Sequence, residues 1–385
     1  MSRSQAIAAH AVVATFLMVC AALPAQREPM PAPSGAPAAV ADPSLHDDRH
    51  EAYRKAAQAG LAWLAAGQQP SGGWTGIVGH KQNDDYLVLT TVEAQRLRNT
   101  AHVGVSALVG IAFLANGHLP DRGPYGAVVR RTVDYVIGCV AENGFVTDSG
   151  TRMYSHAFAT LFLAQVYGTV PEATVRGALE RAVHLIVDSQ NALGAWRYNL
   201  FSKDADLSVT VCQLQALRAA RNVGIQVPKN TIDAAVDYVR RSRVSRGPDR
   251  GLFSYKIAGR GAFEKNDQYA INAAALTSLF TAGVHDPEIY EPVLRFLDEQ
   301  YPRMVRWYGD HYFFWYGSFY AAQAHFQAGG SQFAAYHARI GADLMRMQTD
   351  SGRWLGSVGP GDEFATAVAC TILAIPQQYL PIFQR

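Results

Sequence analysis

The phrase Gln-x-x-x-Gly-x-Trp occurs three times in this 385-residue chain, and this repetition limits the folds that the chain can adopt. The copies begin at Gln68, Gln190 and Gln348, and an aliphatic residue stands four positions before each of them. One copy would mean little, but three copies in one register indicate a repeat protein. Each unit of such a protein buries its apolar face against the next unit.

A second periodic signal marks the ends of helices. Apolar helical stretches end at glycines spaced roughly every 50 residues, and proline follows the first four glycines within four positions. These glycines are Gly117, Gly168, Gly224, Gly283 and Gly329. Glycine supplies the left-handed cap that closes a helix, and proline prevents the helix from continuing. The pattern therefore predicts that each unit is a pair of helices.

Weaker copies of the phrase lie near Gly144, near Gly251 and in the stretch from Trp307 to Trp315, so the sequence predicts six units. The second helix of each unit is apolar on more than one face, which indicates an inner ring. The predicted inner helices are residues 100–116, 154–167, 208–223, 269–282, 316–328 and 364–375. The predicted outer helices, which carry charged residues between apolar ones, are residues 51–66, 126–140, 172–188, 230–242, 289–300 and 332–347.

Six helical hairpins that close on themselves form an all-α fold, an α/α toroid. An open α-solenoid has the same local signature and is the alternative. With 49% hydrophobic residues the chain can bury one large core, so we expect a single domain over residues 51–385. The formal net charge is only +2, and no Lys/Arg cluster is interleaved with aromatic residues. The sequence therefore predicts no nucleic-acid partner.

The first 50 residues differ from the rest. Residues 1–25 contain a short apolar run followed by small residues, which is typical of a secretory signal peptide. Lipoprotein processing at Cys20 is the alternative. Residues 26–50 are rich in Pro and Ala and read as a linker. We expect an exported, periplasmic or secreted protein whose mature chain has no stable membrane span. Its cysteines, Cys139, Cys212 and Cys370, are either buried thiols or include one disulfide.

The repeated phrase resembles the QW repeat of the terpenoid cyclase and protein prenyltransferase superfamily. The span from about residue 51 to residue 381 is similar to exported prenyltransferase/squalene-oxidase repeat proteins, and residues 195–210, 312–330 and 377–385 support the resemblance. The resemblance implies the toroid, with a central cavity surrounded by the ends of the inner helices. We expect such a cavity to bind a small molecule, either an isoprenoid or another apolar compound.

The resemblance to prenyltransferases does not extend to their metal ligands. That family holds zinc with an Asp-x-Cys pair and a histidine at the starts of inner helices. At the similar positions this chain has Asp267, Gln268 and Tyr269, and the last inner helix opens with Asp362 and Glu363. Because the thiolate and the imidazole are missing, we predict no metal site and no cofactor.

Cyclases of the superfamily protonate their substrate with an aspartate from a D-x-D-D-T-A-like segment. Residues 204–209 resemble this segment and keep the middle acid as Asp206, whereas Leu207 replaces the next aspartate. The resemblance makes Asp206 a candidate general acid. Its position just before a helix also makes it a good N-cap. Squalene-type cyclases use two toroids with the cavity between them, so a single toroid argues against cyclisation.

Other candidate site residues lie near the starts of the inner helices or in the densest aromatic run. The candidate ligand-binding residues are His102, His156, Asp204, Asp267, Asn272, His311, Trp315, Tyr316, Tyr320 and Glu363. Ordinary packing explains an aromatic run equally well, and a lone histidine is commonly a hydrogen-bonded core residue. Two carboxylates across a groove, Asp206 with Glu363 or with Asp267, would instead suit a carbohydrate-active toroid.

The leading functional hypothesis is therefore an exported toroid that binds an apolar or isoprenoid ligand in its central cavity, without established catalysis. An isoprenoid cyclase-like enzyme that uses Asp206 is the second hypothesis, and the carbohydrate-active toroid is the third. The sequence does not identify the ligand or the oligomeric state.

The signal-peptide hypothesis predicts that the full chain, expressed in an exporting host, is shortened and recovered outside the cytoplasm. The apolar segment is too short to remain as an anchor. Intact mass and cell fractionation measure this outcome. Full-length protein in the membrane fraction would contradict it.

Overall fold

The computed structural model describes residues 48–76, 100–257, 268–306, 308, 313–356 and 360–383. The signal peptide, most of the linker, Asp267 and His311 lie outside the described residues. The α-helices are, in chain order, α1 (Asp48–Ala66), α2 (Val103–Ala115), α3 (Gly126–Gly138), α4 (Met153–Val166), α5 (Glu172–Asp188), α6 (Leu207–Asn222), α7 (Lys229–Arg241), α8 (Gln268–Thr281), α9 (Pro287–Arg306), α10 (Phe314–Ala328), α11 (Gly330–Met347) and α12 (Asp362–Ala374).

The even-numbered helices form a closed inner ring. Each of them packs against the next even-numbered helix, and α12 packs against α2. Each odd-numbered helix lies outside and packs against two neighbouring inner helices, with α1 packing against α12 and α2. The protein is therefore the predicted α/α toroid, and the open solenoid is wrong.

Burial separates the two rings as the sequence predicts. Every residue of α2 is buried, whereas α7 buries only one stripe of its surface. An inner helix has neighbours on all sides, so it must be apolar on all faces, and an outer helix keeps one face in water. The predicted helix boundaries agree with the observed ones to within three residues at every end except one.

The exception is α9, which continues to Arg306 although the prediction ended it at residue 300. Pro302 lies inside this helix and removes one backbone hydrogen bond. Tyr301 and Met304 are nevertheless buried, and the ring of Tyr301 lies 5.6 Å from that of Tyr336 on α11. We infer that burying these side chains offsets the lost hydrogen bond.

The three tryptophans of the repeated phrase lie in the turns between outer and inner helices and are buried. In the second copy, Trp196 Nε1 donates to the carbonyl of Ile186 at 2.8 Å. Trp74 and Trp354 donate in the same way to Leu64 and Leu344, at 2.7 and 2.8 Å. The indole thus gives an additional donor to a carbonyl near the end of the outer helix, where carbonyls have few partners within the helix.

The glutamines of the phrase join neighbouring outer helices. Gln190 Nε2 donates to the carbonyls of Gly194 and Thr231, both at 2.9 Å, and Thr231 belongs to the next outer helix, α7. Gln68 makes the equivalent bonds to Gly72 and to Val128 of α3. We call these three segments, from glutamine to tryptophan, the Gln–Gly–Trp turns.

The third Gln–Gly–Trp turn closes the ring. Gln348 Nε2 donates to the carbonyl of Ala56 at 2.8 Å, so the last repeat is bound to the first helix. The equivalence of the three bonds means that the closing contact between α11 and α1 uses the same chemistry as the contacts between consecutive repeats.

The glycine of each turn is required by the close approach of the next outer helix. Gly194 has φ of +81°, which favours glycine. A Cβ atom at Gly194 would lie 2.6 Å from the carbonyl oxygen of Ala234 on α7. Both the backbone conformation and the available space therefore exclude a side chain here.

The C-terminal segment crosses the ring at the end where the inner helices finish. The short 3-10 helix Pro381–Phe383 packs against α6 and α10, and Leu380 and Phe383 are buried. The ring of Tyr379 lies beside Gly117, just after α2. One end of the inner ring is therefore covered by the chain's own terminus.

Two further predictions concern cysteines and membrane spans. Cys139, Cys212 and Cys370 are free thiols, so the disulfide alternative is wrong. Burial raises the pKa of the Cys212 thiol to about 12, which keeps it protonated. Within the described ranges, no helix has the length and apolar character needed to cross a membrane.

Truncating a turn tryptophan tests its structural role. Trp196→Ala should lower the free energy of unfolding by roughly 3–5 kcal/mol, because it removes a large buried side chain and the hydrogen bond from its indole to the Ile186 carbonyl. Urea denaturation measures the change. The matched control is Phe201→Ala, which also truncates an aromatic side chain to alanine, but at a residue that is 63% exposed. It should lower the free energy of unfolding by less than about 0.5 kcal/mol. Equal effects of the two substitutions would contradict the role of the turn.

Candidate ligand site

Asp206 lies at the start of α6, and its side chain is completely buried. Its Oδ1 atom accepts a hydrogen bond from the Val209 backbone N–H at 2.8 Å and another from Ser208 Oγ at 2.6 Å. The residue is therefore the N-cap of α6, as its position before a helix predicts.

The other carboxylate oxygen of Asp206 faces Arg197. Arg197 Nη1 lies 2.9 Å from Asp206 Oδ2, and Arg197 Nε lies 3.3 Å from Asp204 Oδ2. Burial raises the pKa of Asp206, and the hydrogen bonds from Ser208, Val209 and Arg197 oppose this effect. Burial by itself would lower the pKa of Arg197, but the attraction of Asp206 and the adjacent tyrosines outweighs it, so the Arg197 pKa is raised. The charged form of each residue is thus stabilised by the charge of the other.

Sequence reasoning missed Arg197 as a site residue. It directly follows Trp196, and the equivalent positions of the first and third copies hold Thr75 and Leu355. The available signal was its position at the end of a turn that leads into the acidic segment 204–206. That signal does not reveal which acid the arginine contacts.

Tyrosine hydroxyl groups extend the hydrogen bonding around Asp206. Tyr154 on α4 donates to Ser208 Oγ at 2.6 Å, and Ser208 in turn donates to Asp206. Tyr316 on α10 donates to the Ser208 carbonyl at 3.2 Å. The rings of Tyr154 and Tyr316 meet edge to face, with centroids 6.3 Å apart, although α4 and α10 are opposite members of the inner ring.

Two further tyrosines complete this group. The hydroxyls of Tyr198 and Tyr255 are hydrogen-bonded to each other, and Arg197 Nη1 donates to Tyr255 at 3.4 Å. The Arg197 guanidinium also lies 4.6 Å from the centre of the Tyr198 ring, a cation–π distance. We call Tyr154, Tyr198, Tyr255 and Tyr316 the tyrosine cluster. All four are only half-buried, so their rings retain solvent-accessible surface.

Deeper in the ring, side chains from α6 and α10 bridge the interior. Cys212 Sγ lies 3.2 Å from the Tyr320 hydroxyl, and Gln215 donates to Gln323 at 2.8 Å. Since α6 and α10 are separated in the ring by α8, these contacts span part of its interior. Side chains therefore fill the interior at the level of Tyr320 and Gln323.

A cavity among the described residues lies elsewhere. It has a volume of about 390 Å³ and is lined by Glu291, Arg295, Asp298, Glu299 and Gln332, all on the outer helices α9 and α11. It is a surface cleft, and none of the predicted site residues borders it.

His102 and His156 each accept a hydrogen bond from a nearby backbone N–H group. His102 is the N-cap of α2, because its Nδ1 atom accepts from the Val105 backbone N–H at 3.1 Å. His156 Nδ1 accepts from the Val146 backbone N–H at 3.0 Å, and burial lowers its pKa to about 3. Each ring binds its own local backbone, so the two histidines do not share a site. Nowhere in the described ranges do three His, Cys, Asp or Glu side chains gather closely enough to hold a metal ion.

His156 and Asn272 occupy a structural position that recurs in the repeats. Asn272 Oδ1 accepts from the Phe253 backbone N–H at 2.8 Å, as Thr210 Oγ1 accepts from Trp196 at 3.2 Å. Ser106 and Thr366 accept from Trp74 and Trp354 in the same way. The residue at the tryptophan position has a buried N–H, which needs an acceptor from the next inner helix. This need explains both residues without a ligand.

The remaining candidates are divided between the cluster and the packing between repeats. Asp204 and Tyr316 join Asp206 at the tyrosine cluster, whereas Trp315 Nε1 donates to the Leu355 carbonyl at 2.9 Å. Glu363 accepts from Thr75 at 2.8 Å. Their assignment to a ligand site stays a prediction.

Neither a protein-family model nor a curated protein matches this chain. Solved structures do match. The type II terpene cyclase MstE from Scytonema, in complex with geranylgeranyl dihydroxybenzoate, is similar with a TM-score of 0.55 and 11% identity over 86% of this chain and 99% of that chain. Cellobiose 2-epimerase from Spirochaeta thermophila DSM 6192 has a TM-score of 0.59 and 13% identity over 88% and 98% of the two chains.

A glycosidase has a TM-score of 0.53 and 11% identity over 87% of this chain and 99% of that one. At such identities the likeness shows the fold alone. The described chain is an α/α toroid, a fold that these solved structures share.

Proposed function

We propose that this toroid binds an apolar molecule of the isoprenoid class at the tyrosine cluster. The observation that carries the proposal is the convergence of four half-buried tyrosines, from four separate segments of the chain, on the buried pair of Asp206 and Arg197. Aromatic faces with accessible surface suit an apolar ligand, and the hydroxyl edges suit a polar end.

The architecture of the repeats does not account for these tyrosines. Glutamine, glycine, tryptophan and the acceptor on the inner helix are each explained by a bond or a close approach that recurs around the ring. Tyr198 and Tyr255 occupy the same position of two successive repeats, and their carbonyls accept from the backbone N–H groups of Met153 and Leu207. The hydroxyl groups of the four tyrosines have no such recurring role, and their bonds lead to Ser208, to Arg197 and to one another. Residues that the fold does not require are the best candidates for function.

The shape of the site favours an apolar ligand over a glycan. The interior is bridged below the cluster by Tyr320 and Gln323, and the C-terminal segment covers the far end. Glycoside hydrolysis needs two carboxylates on opposite sides of the bond, about 5–9.5 Å apart. Asp204 and Asp206 instead share Arg197, and Glu363 is bonded to Thr75.

The similar structures support the choice of probes. One of them holds a geranylgeranyl compound, which is an isoprenoid, and others are an epimerase of cellobiose and a glycosidase. An isoprenoid alcohol and cellobiose are therefore the two probes to compare. We also propose that the protein binds its ligand outside the cytoplasm, because residues 1–25 have the pattern of a signal peptide.

Asp206 supports a second, catalytic proposal. A general acid must hold a proton at working pH, and burial raises the Asp206 pKa in that direction. Arg197 and Ser208 act against it, since both donate to the ionised carboxylate. Binding without turnover is therefore the first proposal, and protonation of an isoprenoid alkene by Asp206 is the second.

Ligand binding can be tested with farnesol, measured by isothermal titration calorimetry. We expect binding to the wild type, and Tyr198→Ala should weaken it about tenfold because it removes one ring of the cluster. Tyr379→Ala is the matched control, since this tyrosine is 59% exposed and lies at the opposite end of the ring. If cellobiose binds and farnesol does not, the isoprenoid proposal is wrong.

Asp206→Asn separates the two proposals. Asparagine can still cap α6, but Arg197 loses its buried anion, so we expect the free energy of unfolding to fall by about 1–3 kcal/mol. If Asp206 acted only as a helix cap, the same substitution would lower the free energy of unfolding by less than about 1 kcal/mol. Farnesol binding should persist in the variant. If the wild type converts a linear isoprenoid to a cyclic product, detected by mass spectrometry, and the variant does not, the catalytic proposal holds. Turnover that survives the substitution would rule it out.

A further inference from the structure

We propose that Arg197 and Lys256 form a binding site for the anionic head group of the ligand, a carboxylate or a phosphate, and that Asp204 occupies this site in the free protein. The inference rests on the proposed function, because it names the polar end of a ligand whose apolar body lies on the tyrosine cluster. Asp204 thus acts as an internal competitor for the ligand.

Two cations from different repeats converge on one carboxylate oxygen. Lys256 Nζ lies 2.7 Å from Asp204 Oδ2, and Arg197 Nε lies 3.3 Å from the same atom. Lys256 lies in the segment between α7 and α8, whereas Arg197 lies in the segment between α5 and α6. A carboxylate or phosphate oxygen of a ligand at this position would find the same two donors, which are the side chains that proteins use for such groups.

Arg197 is held more firmly than the acid beside it. Arg197 is 13% exposed and is also bound by Asp206, by Tyr255 and by the ring of Tyr198. Asp204 is 57% exposed. Removing Asp204 would therefore leave Arg197 in place, still oriented towards the vacated position.

Asp204 is a competitor only if it is ionised. The hydrogen bond from Lys256 lowers the pKa of Asp204, and the charge of Arg197 adds to this effect. Exposed ion pairs contribute little to stability. Exchanging Asp204 for a ligand anion therefore costs the fold little.

The position of the site relative to the rings sets the orientation of the ligand. The Arg197 guanidinium lies 4.6 Å from the centre of the Tyr198 ring, and Tyr198 lies 6.0 Å from Tyr154, centroid to centroid. A head group between Arg197 and Lys256 would thus place the adjoining hydrocarbon against these rings. The site should prefer an isoprenoid acid over the corresponding alcohol.

Farnesol and farnesoic acid are a matched neutral and anionic pair for the test. Asp204→Asn removes the competing charge and keeps an Oδ1 acceptor for the Ala205 N–H, which bonds Asp204 at 2.9 Å. By calorimetry we expect the variant to bind farnesoic acid about fivefold or more tightly than the wild type, with farnesol binding unchanged. Lys256→Met, added to Asp204→Asn, should abolish the gain.

Asp233→Asn is the control for net charge. Asp233 pairs with Lys229 at 2.6 Å and is 57% exposed, as Asp204 is, but it lies on the outer helix α7. The inference is overturned if Asp204→Asn leaves farnesoic acid binding unchanged, if it changes both ligands equally, or if Asp233→Asn has the same effect.

Inorganic pyrophosphate separates failure of this inference from failure of the proposed function. If neither farnesol nor farnesoic acid binds, the proposed function is wrong, and pyrophosphate still tests the anion site alone. Pyrophosphate binding that increases in Asp204→Asn and is lost with Lys256→Met supports the site. No binding of pyrophosphate to either variant, together with no preference for the acid, overturns it.

Discussion

The structure depends on a hydrogen bond that recurs three times around the ring, from a glutamine side chain to a backbone carbonyl of the next outer helix. Gln68, Gln190 and Gln348 each bind two backbone carbonyls, one in their own turn and one in the neighbouring repeat. The bond from Gln348 reaches Ala56 and joins the two ends of the described toroid. Buried carbonyls need donors, and these amides supply them between units that otherwise contact through apolar side chains.

Because outer and inner helices alternate along the chain, all inner helices begin at the same end of the toroid. The caps of these helices and the acceptors for the turn N–H groups are therefore collected there, among them His102, His156 and Asn272. In the sequence, this concentration of polar residues has the pattern that a ligand-binding site would have. Most of it bonds to the backbone of the repeats, whereas the side chains of Arg197, Asp204 and the tyrosine cluster bond mainly to other side chains.

Asp206 combines both kinds of role. One of its oxygens caps α6, as aspartate does in many helices, and the other pairs with Arg197. The pair makes the buried charge tolerable and also orients the guanidinium towards Asp204, Tyr255 and Tyr198. A single residue thus connects the architecture of the repeats to the group of residues that could hold a ligand.

The sequence by itself determined the helices, their assignment to two rings, and the cap at Asp206, because each depends on residues within one or two turns of one another. It could not determine whether the ring closes, since an open solenoid repeats the same local contacts. Nor could it place Tyr316 beside Ser208, 108 residues away along the chain, or select the acid that Arg197 contacts. The contact of Tyr316 with Ser208 joins α10 to α6, which are not neighbours in the ring, and it forms because the ring is closed. The contacts of Arg197 depend on how the loop between Trp196 and α6 places Asp204 and Asp206 around the guanidinium.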